Sequence, residues 1–405
     1  MQKTFIILFV LVMAALPVLT NAESTPEREY VNLPELMKMN DGTSVATAEE
    51  FPSRRKELLN LFAETMYGPI PTEDFETAFE VLEEGDTLDG TAIRKQIRMT
   101  VTTEKGSCDA LMLLVLPKSE KPVPVVFGLS FSPVHNAFSD PNVLASYTNK
   151  KYPTVKDEER GSQEAAWCIA EAVQRGYGIA LASCEDFMQD NLRQYGKRVI
   201  SLFDKGTLSG LSAWAFGLER MADYLVTDDR VDFARLAVVG TSRLGKAALW
   251  AGANDERIAL VIPNVSGTCG AAMSRSNTKE QVADLNANFR WWMNDTFKSF
   301  NDRVDELPVD QHELIACVAP RKVYISSAET DTSNDSQGTW NALLLSRDAF
   351  RLYGLEVIED VSTEQPQAGE HVFTESMGYH MRAGNHGITP EDWKLYFDYM
   401  DQYLK

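Results

Sequence analysis

The chain has 405 residues and a net charge of −20 at pH 7, from 39 basic and 59 acidic side chains. This charge excludes DNA, RNA and other strongly anionic polymers as partners, and it favours a neutral or weakly charged substrate. Hydrophobic residues make up 44% of the chain without a repeat or low-complexity run, so one large domain or two small ones with a sizeable core are expected.

Residues 1–22 have the pattern of a secretory signal peptide. A basic Lys3 precedes an apolar run over residues 5–18, and small residues end the segment. We expect cleavage before Glu23 and a secreted, periplasmic protein without membrane association after cleavage. A membrane anchor is the alternative, but the run is shorter than the roughly 20 residues that span a bilayer, and Pro17 lies near its end.

The five cysteines are scattered and include no C-x-x-C pair for zinc or redox chemistry. We expect them to be buried as small apolar residues, although secretion permits one or two disulfides. They are Cys108, Cys168, Cys184, Cys269 and Cys317.

The first predicted elements are a helix followed by strands. Apolar residues at helical spacing predict a helix over 48–66. Strands over 93–102 and 107–116 flank Glu104-Lys105-Gly106 as a hairpin, and the unbroken apolar run VPVVFGL at 123–129 is typical of a strand buried on both faces.

Helices and strands alternate in the rest of the chain. Helices are predicted over 163–175, 211–226 and 244–253, and strands over 178–183, 236–239, 258–263 and 322–327. Such alternation indicates a parallel sheet with helices on both faces. Because no Pro/Gly/Ser-rich linker interrupts the pattern, residues 23–405 are predicted to form one α/β domain, with 274–307 as an insertion over the sheet.

Residues 238–250, VVGTSRLGKAALW, fit two patterns. The letters GTSRLGK match a phosphate-binding P-loop, but Ala247 stands where that loop needs Ser or Thr to hold magnesium. A strand, a sharp turn at Ser242 and a helix also match a nucleophile elbow, which exposes the serine hydroxyl. The usual second glycine falls one position late, at Gly245, so an ordinary strand-to-helix connection stays open on this motif alone.

Two later residues favour the elbow. Asp331 follows the predicted strand at 322–327, and His386 lies in the loop GNHG before a helix. Ser, then Asp, then His is the chain order of the α/β-hydrolase triad. A nucleotide-binding P-loop needs neither an aspartate nor a histidine at these later positions. Histidine is scarce in this chain, and His312 and His380 suit structural roles better than His386 does.

Four stretches of the chain carry a family resemblance. They are DGTSVATAEEFPSRRKELLNLFAETMYG, VVGTSRLGKAALWAGANDERIALVIPNVSG, LPVDQHELIACVAPRKVYISSAETD and GYHMRAGNHGITPEDW. They resemble carbohydrate esterase family 15, the glucuronoyl esterases, over nearly the whole mature chain, and the G-x-S-R-x-G-K pattern is specific to that family. The resemblance implies an α/β-hydrolase fold that cleaves, without metal or cofactor, the ester between lignin alcohols and the 4-O-methyl-glucuronate groups of xylan.

The resemblance also implies a role for each site residue. Ser242 is expected to be the nucleophile, His386 the general base, and Arg243 the residue whose backbone and guanidinium stabilise the oxyanion. A fixed cation suits that position because the ester carbonyl becomes an anion in the tetrahedral intermediate. Lys246 and Glu280 match positions that bind the uronate hydroxyls. Lys246 lies one helical turn after Ser242, and a solvated helix lysine is the alternative.

Two positions depart from the family pattern. Val265 stands where many relatives have a Glu that can serve as the triad acid, which leaves Asp331 to orient His386. Ser333 stands where bacterial relatives tend to have a Trp on the sugar-facing wall, and Trp340 is a candidate substitute for that contact.

The sequence thus predicts a monomeric α/β-hydrolase with a mostly parallel central sheet and helices on both faces. The expected substrate of this serine esterase is a glucuronoxylan-derived oligosaccharide or a lignin–carbohydrate ester, with no nucleic-acid partner. Two alternatives stay open. One is an acetyl-xylan or other polysaccharide esterase with the same triad, and the other is a catalytically weak saccharide-binding relative that kept the fold.

Overall fold

The computed structural model describes residues 30–145, 159–204, 206–276 and 280–405. The predicted signal peptide at 1–22 and its cleavage site lie outside these residues. Within the described ranges, no helix combines the length and the apolar character that a membrane crossing requires. That residues 23–405 form a single domain stays a prediction.

A ten-stranded sheet runs through the centre of the molecule. Its strands are β1 (Glu76–Thr87), β2 (Ala92–Thr103), β3 (Gly106–Pro117), β4 (Val123–Ser130), β5 (Gly178–Ser183), β6 (Val231–Thr241), β7 (Ile258–Asn264), β8 (Lys322–Ala328), β9 (Glu370–Phe373) and β10 (Met377–Arg382). They are arranged in the order β1-β2-β3-β5-β4-β6-β7-β8-β10-β9. Every pairing from β5 across to β10 is parallel, and the pairings at the two ends are antiparallel.

Helices cover both faces of the sheet. They are α1 (Phe51–Phe62), α2 (Ile169–Gln174), α3 (Cys184–Phe187), α4 (Gly210–Leu225), α5 (Arg243–Asn254), α6 (Val282–Asn288), α7 (Gln311–Ala316), α8 (Ser336–Leu345), α9 (Arg347–Arg351) and α10 (Pro390–Tyr403). Alternate side chains of β4 enter two separate cores: Phe127 packs with α4 and α5, and Val126 packs with α2 and α10. The predicted layered α/β architecture is confirmed.

Several predicted elements differ at their bounds. The helix predicted over 163–175 begins only at Ile169, because Cys168 has a left-handed backbone with φ of 45° that interrupts it. The strand predicted over 236–239 extends in both directions to form β6. Strand β1 was not predicted, since it lies at the edge of the sheet and its sequence ETAFEVLEEGDT is mostly polar.

The five cysteines are free thiols. Cys168 is half-buried and the other four are buried, as expected for small apolar residues.

The parallel strands bring five separate loops to one edge of the sheet. Phe131 follows β4, Ser242 follows β6, Val265 follows β7, Asp331 follows β8 and His386 follows β10. In parallel α/β sheets, ligands bind outside the carboxyl ends of the strands. The topology therefore places Ser242, Asp331 and His386, which were selected from the sequence, on the side of the sheet where such folds carry their sites.

Candidate active site

Ser242 lies in a strained turn between β6 and α5. Its φ of 58° and ψ of −128° are rarely adopted by a residue with a side chain, and such a conformation costs about 1–3 kcal/mol. Two glycines allow the turn. A Cβ at Gly240 would lie 2.1 Å from the Leu244 carbonyl oxygen, and one at Gly245 would lie 2.8 Å from the Gly240 carbonyl oxygen. Gly245, which stands one position later than the second glycine of the usual motif, is thus required for the close approach of α5 to the Gly240 carbonyl oxygen.

His386 and Asp331 form a close pair beside this turn. The Nδ1 of His386 lies 2.6 Å from Oδ2 of Asp331, and the Asp331 side chain is only 3% exposed whereas that of His386 is 42% exposed. The other Asp331 oxygen, Oδ1, accepts hydrogen bonds from the backbone N–H (3.1 Å) and hydroxyl (2.7 Å) of Ser333. With Nδ1 held by Asp331, the Nε2 of His386 is the ring nitrogen that a serine hydroxyl can use.

The surroundings keep Asp331 ionised at neutral pH. Burial acts to raise the pKa of Asp331, but the hydrogen bonds from His386 and Ser333 outweigh it and lower the pKa below its ordinary value. A charged carboxylate at this place fixes the tautomer of His386 and stabilises an imidazolium.

The Arg243 guanidinium is held by one carboxylate and by aromatic rings. Its Nε lies 2.5 Å from Oδ2 of Asp190, and its Cζ lies 4.5 Å from the ring centre of Phe131 and 5.8 Å from that of Trp292. The Oδ1 of Asp190 accepts hydrogen bonds from the indole N–H groups of Trp291 (2.8 Å) and Trp292 (2.7 Å). The cation next to Ser242 therefore has little freedom to move.

Lys246 is buried and faces the same region from the first turn of α5. Its Nζ donates hydrogen bonds to the carbonyl oxygens of Ser266 and Thr268, each at 2.5 Å. The same Nζ lies 3.9 Å from Oε2 of Glu280. A side chain with 4% exposure and these partners is not a solvated helix lysine, and its ammonium is fixed in place by the backbone.

A polar cavity of about 140 Å³ connects these side chains, and we name it the serine cavity. Its walls contain Ser242, Arg243, Lys246, Val265, Ser266, Gly267, Glu280, Phe289, Trp292, Ser333 and His386. A second cavity of about 380 Å³ lies beside it, since Glu280, Phe289 and Ser333 line both. The structure thus brings together the serine, the histidine and two fixed cations around one space.

The two positions that depart from the family pattern both line the serine cavity. Val265 is 2% exposed and has a φ of 38°, which is unusual for a β-branched residue. Its side chain offers no acceptor to His386. Ser333 lines both cavities and donates its hydroxyl hydrogen to Asp331.

Trp340 does not belong to this group. It is 1% exposed on α8, where its ring packs edge-on against Tyr379 and its indole N–H lies 3.4 Å from the Thr363 carbonyl oxygen. The expectation that Trp340 contacts substrate is corrected, because a side chain buried in the core cannot reach the serine cavity.

Sequence reasoning missed four residues of the site: Phe131, Asp190, Phe289 and Trp292. Phe289 and Trp292 stack with their ring centres 4.0 Å apart, inside the segment NFRWWMND, for which the sequence predicts only an insertion. The unusual density of aromatic residues in that segment is the signal that could have found them. Asp190 carried no signal, since only the fold brings it next to Arg243.

The described ranges contain no group of three His, Cys, Asp or Glu side chains arranged to hold a metal ion. The geometry of Lys246 rules out the P-loop interpretation, because its ammonium donates to backbone carbonyl groups and is not directed to a phosphate site.

The sharp turn at Ser242 on a mostly parallel sheet defines the class of the protein, which is an α/β-hydrolase.

Comparisons with known proteins give the family. The family model described as "Glucuronyl esterase, fungi" matches residues 169–354. The carbohydrate esterase MZ0003, from an unknown prokaryotic organism, is 36% identical over 92% of this chain and 89% of its own length. This chain belongs to carbohydrate esterase family 15, the glucuronoyl esterases, and is a carboxylic ester hydrolase.

Two solved structures agree with this assignment. A promiscuous CE15 esterase from the marine bacterial metagenome has a TM-score of 0.85 and 34% identity, and the match covers 93% of this chain and 98% of that one. The glucuronoyl esterase of Solibacter usitatus has a TM-score of 0.86 and 32% identity, with 92% and 98% covered. Both similarities extend over nearly the whole of each protein.

Proposed function

We propose that the chain hydrolyses esters of 4-O-methyl-glucuronate side groups of xylan with lignin alcohols, using Ser242, His386 and Asp331 as a triad. One observation carries the proposal. The strained Ser242 and His386 line the same cavity, and His386 is held by a buried, ionised Asp331 at 2.6 Å. Membership in the glucuronoyl esterase family supports the uronate as the acid half of the ester.

The reaction proceeds through an acyl-enzyme. The Ser242 oxygen forms a bond to the ester carbonyl carbon while His386 accepts the hydroxyl proton at Nε2. The bond between that carbon and the alcohol oxygen then breaks, and His386 returns the proton to the leaving alcohol. Water then attacks the acyl carbonyl carbon while His386 accepts a water proton, the bond between that carbon and the Ser242 oxygen breaks, and His386 returns the proton to Ser242, which releases the free uronic acid.

Arg243 stabilises the oxyanion that forms in each half of the reaction. Its backbone N–H lies at the first position of α5, where the positive end of the helix dipole adds to the guanidinium charge. Asp190 and the rings of Phe131 and Trp292 hold the guanidinium before substrate arrives. Such preorganisation means that little energy is spent on moving the cation during the reaction.

Lys246 and Glu280 bind the hydroxyl groups of the uronate ring. Two of the three ammonium hydrogens of Lys246 are taken by Ser266 and Thr268, which leaves one donor for Glu280 or a sugar hydroxyl in the serine cavity. A cation and a carboxylate 3.9 Å apart offer a donor and an acceptor to neighbouring sugar hydroxyls. The neighbouring second cavity, which Ser333 also lines, gives room for the xylan chain.

The test is the kinetics of three variants on benzyl glucuronate. Ser242→Ala should remove nearly all turnover, and Arg243→Ala should lower kcat about a hundredfold or more. Lys246→Ala should reduce turnover of the uronate ester more than that of phenyl acetate. Ser299→Ala, which changes an exposed serine on a short turn, is the matched control and should behave as wild type. More than a few per cent of activity in Ser242→Ala would exclude the triad.

We further propose that the mature protein is a monomer in the periplasm that begins at Glu23. The support is the basic, apolar and small-residue pattern of residues 1–22. The N-terminal sequence of the exported protein tests the start at Glu23, cell fractionation tests the location, and the native mass tests the monomer. An intact N-terminus in the membrane fraction would contradict the first two statements, and a native mass of two or more chains would contradict the third.

A further inference from the structure

Asn264, the last residue of β7, lies between the ends of the strands that lead to Ser242 and Asp331. The sheet register places it beside Thr241 on β6 and beside Ser326 on β8. Its side chain is fully buried. Asparagine is depleted in strands, and a buried amide is costly unless its hydrogen bonds are made. The partners of Asn264 therefore indicate what it does at this place.

The amide of Asn264 contacts all three segments that carry the proposed triad. Its Nδ2 donates hydrogen bonds to the carbonyl oxygen of Gly387 (2.9 Å) and to Oγ1 of Thr241 (3.2 Å), and its Oδ1 accepts one from the hydroxyl of Ser326 (2.7 Å). A backbone carbonyl can only accept, so the amide nitrogen must face Gly387. The main-chain carbonyl oxygen of Asn264 also accepts the N–H of Ser242 at 2.9 Å.

The loop that carries His386 is held from two directions at Gly387. Arg382, on the strand that leads into the loop, donates to the Gly387 carbonyl oxygen at 3.2 Å. Asn264 donates to the same oxygen from β7, which pairs with the strand that leads to Ser242. Residues 383–386 are exposed, so packing contributes little to their position. Arg382 therefore holds the loop on its own strand, whereas Asn264 connects it to the nucleophile turn.

This connection controls a distance on which catalysis depends. Ser242 and His386 follow β6 and β10, and β7 and β8 separate those strands in the sheet. Proton transfer needs the serine oxygen and the imidazole nitrogen within hydrogen-bond reach, and a misplacement of about 1 Å costs roughly a hundredfold in rate.

We propose that Asn264 is a positioning residue that holds the His386 imidazole at proton-transfer distance from the Ser242 hydroxyl. This inference rests on the proposed function, because it takes Ser242 as the nucleophile and His386 as the base. Asn264 itself is buried beneath both residues and touches no substrate.

The experiment compares Asn264→Ala with Gln96→Ala. Gln96 is an equally buried amide on β2, which three strands separate from β6. It makes the same number of hydrogen bonds: Nε2 donates to Glu83 (2.7 Å) and to the Asn142 carbonyl oxygen (3.0 Å), and Oε1 accepts the N–H of Leu144 (2.6 Å). The two variants thus remove similar buried contacts, and only one of them acts on the triad segments.

Asn264→Ala should lower kcat on benzyl glucuronate about a hundredfold and leave KM within about threefold, because the groups that bind the uronate stay in place. The rate at which a serine-directed phosphonate labels Ser242 should fall by a similar factor, since labelling also requires a base to take the hydroxyl proton. Gln96→Ala should lower the thermal unfolding midpoint comparably and keep kcat and the labelling rate within about twofold of wild type.

Near-normal kcat and labelling in folded Asn264→Ala would overturn the proposal, and so would an equal fall in Gln96→Ala or a loss confined to KM. Should Asn264→Ala not fold, Asn264→Ser gives the same readout, because its hydroxyl can still bond to Ser326 but is one bond shorter and loses Gly387. Slower labelling of Asn264→Ser supports the proposal, and unchanged labelling overturns it.

Failure of the proposed function is seen separately, as wild-type protein that the phosphonate labels at Ser242 but that hydrolyses no glucuronate ester. The ratio of labelling rates between Asn264→Ala and wild type then still decides whether Asn264 positions the histidine. Absence of labelling in wild type would overturn both proposals, because Ser242 would then not be an activated nucleophile.

Discussion

Asp331 is the residue on which the proposed triad depends most. It is the carboxylate that His386 contacts, and Val265, which lines the same cavity as His386, has no carboxylate to offer it. Asp331→Asn should leave the geometry nearly intact and lower kcat on the order of 10⁴-fold, because the amide favours the wrong tautomer of His386. Steady-state kinetics on benzyl glucuronate measure this, and near-normal turnover would mean that another acid orients His386.

Adding Val265→Glu to the Asp331→Asn variant should restore part of the rate. Val265 and His386 line the same cavity, so a carboxylate at 265 has a route to the imidazole. The positive φ of Val265 is a local cost that any side chain at this position shares, so the exchange introduces no new backbone strain. If Val265→Glu lowers activity further in the Asp331→Asn background, a carboxylate at position 265 does not reach His386.

At the scale of single residues, the chain order Ser, Asp, His and the family resemblance were enough to select Ser242, Asp331 and His386. Neither could indicate Asp190, which lies next to Arg243 only because the fold brings two distant segments together. Trp340 shows the reverse failure. It was selected because it is close in sequence to Ser333, but its side chain lies on the core side of α8, against Tyr379. Which side of a helix a residue occupies depends on its position in the helical turn and not on its distance from Ser333 in the sequence.

The loop that carries His386 is held by Arg382 at the end of β10. The Arg382 guanidinium donates hydrogen bonds to the carbonyl oxygens of Asn385 (2.7 Å) and Gly387 (3.2 Å) and pairs with the buried Asp392. Arg382→Met should lower kcat more than tenfold with little change in KM, and should cost about 3 kcal/mol of unfolding free energy, because a buried ion pair loses one partner.

Kinetics and denaturant unfolding measure both effects of Arg382→Met. Lys394→Met is the control, since the exposed pair of Lys394 with Asp398 contributes at most about 0.5 kcal/mol. Equal effects of the two variants on kcat would show that Arg382 does not position the histidine loop.

Helix α4 contains a buried carboxyl that makes stability depend on pH. Burial raises the pKa of Glu219 from 4.5 to about 8, with Asp255 and Asp223 adding to the rise and Arg220 and Arg257 opposing it. The folded state therefore holds this proton more tightly than the unfolded state, so wild-type stability is greatest below the unfolded pKa and falls as pH rises towards 8.

Glu219→Gln removes this titration. Its unfolding free energy relative to wild type should increase by roughly 2 to 4 kcal/mol between pH 5 and pH 8. Thermal unfolding at several pH values measures the difference, and a difference that is constant with pH would mean that Glu219 is ionised in the folded protein throughout.

At the scale of elements, buried strands and the long helices α4 and α5 were predicted from apolar pattern, because packing on both faces of the sheet requires it. The edge strand β1 and the short helix α6 were not. They bury few side chains, so their sequences carry little of the periodicity from which elements are recognised.

At the scale of the whole molecule, the net charge of −20 agrees with a neutral substrate. The alkyl ester of a uronic acid carries no charge, and no long-range attraction should bring it to the protein. We expect kcat/KM for benzyl glucuronate to change less than twofold between about 20 and 200 mM salt, since screening has nothing to remove. A steep fall with salt would indicate steering of a charged substrate.

The layered fold and the edge at which the loops meet followed from the alternation of strands and helices. The composition of the serine cavity did not. It is built from loops after several strands, and some of the side chains that meet there are separated by more than a hundred residues in the chain, as Ser266 and His386 are.

The central claim is that Ser242 catalyses hydrolysis of uronate esters, and the most direct test compares three substrates with one enzyme. Turnover of benzyl glucuronate, methyl glucuronate and phenyl acetate is measured for wild type and Ser242→Ala. We predict that wild type prefers both glucuronate esters to phenyl acetate by about a hundredfold or more in kcat/KM, and that Ser242→Ala hydrolyses none of them. Preference for phenyl acetate, together with acetate release from acetylated xylan, would contradict the claim and identify a different polysaccharide esterase.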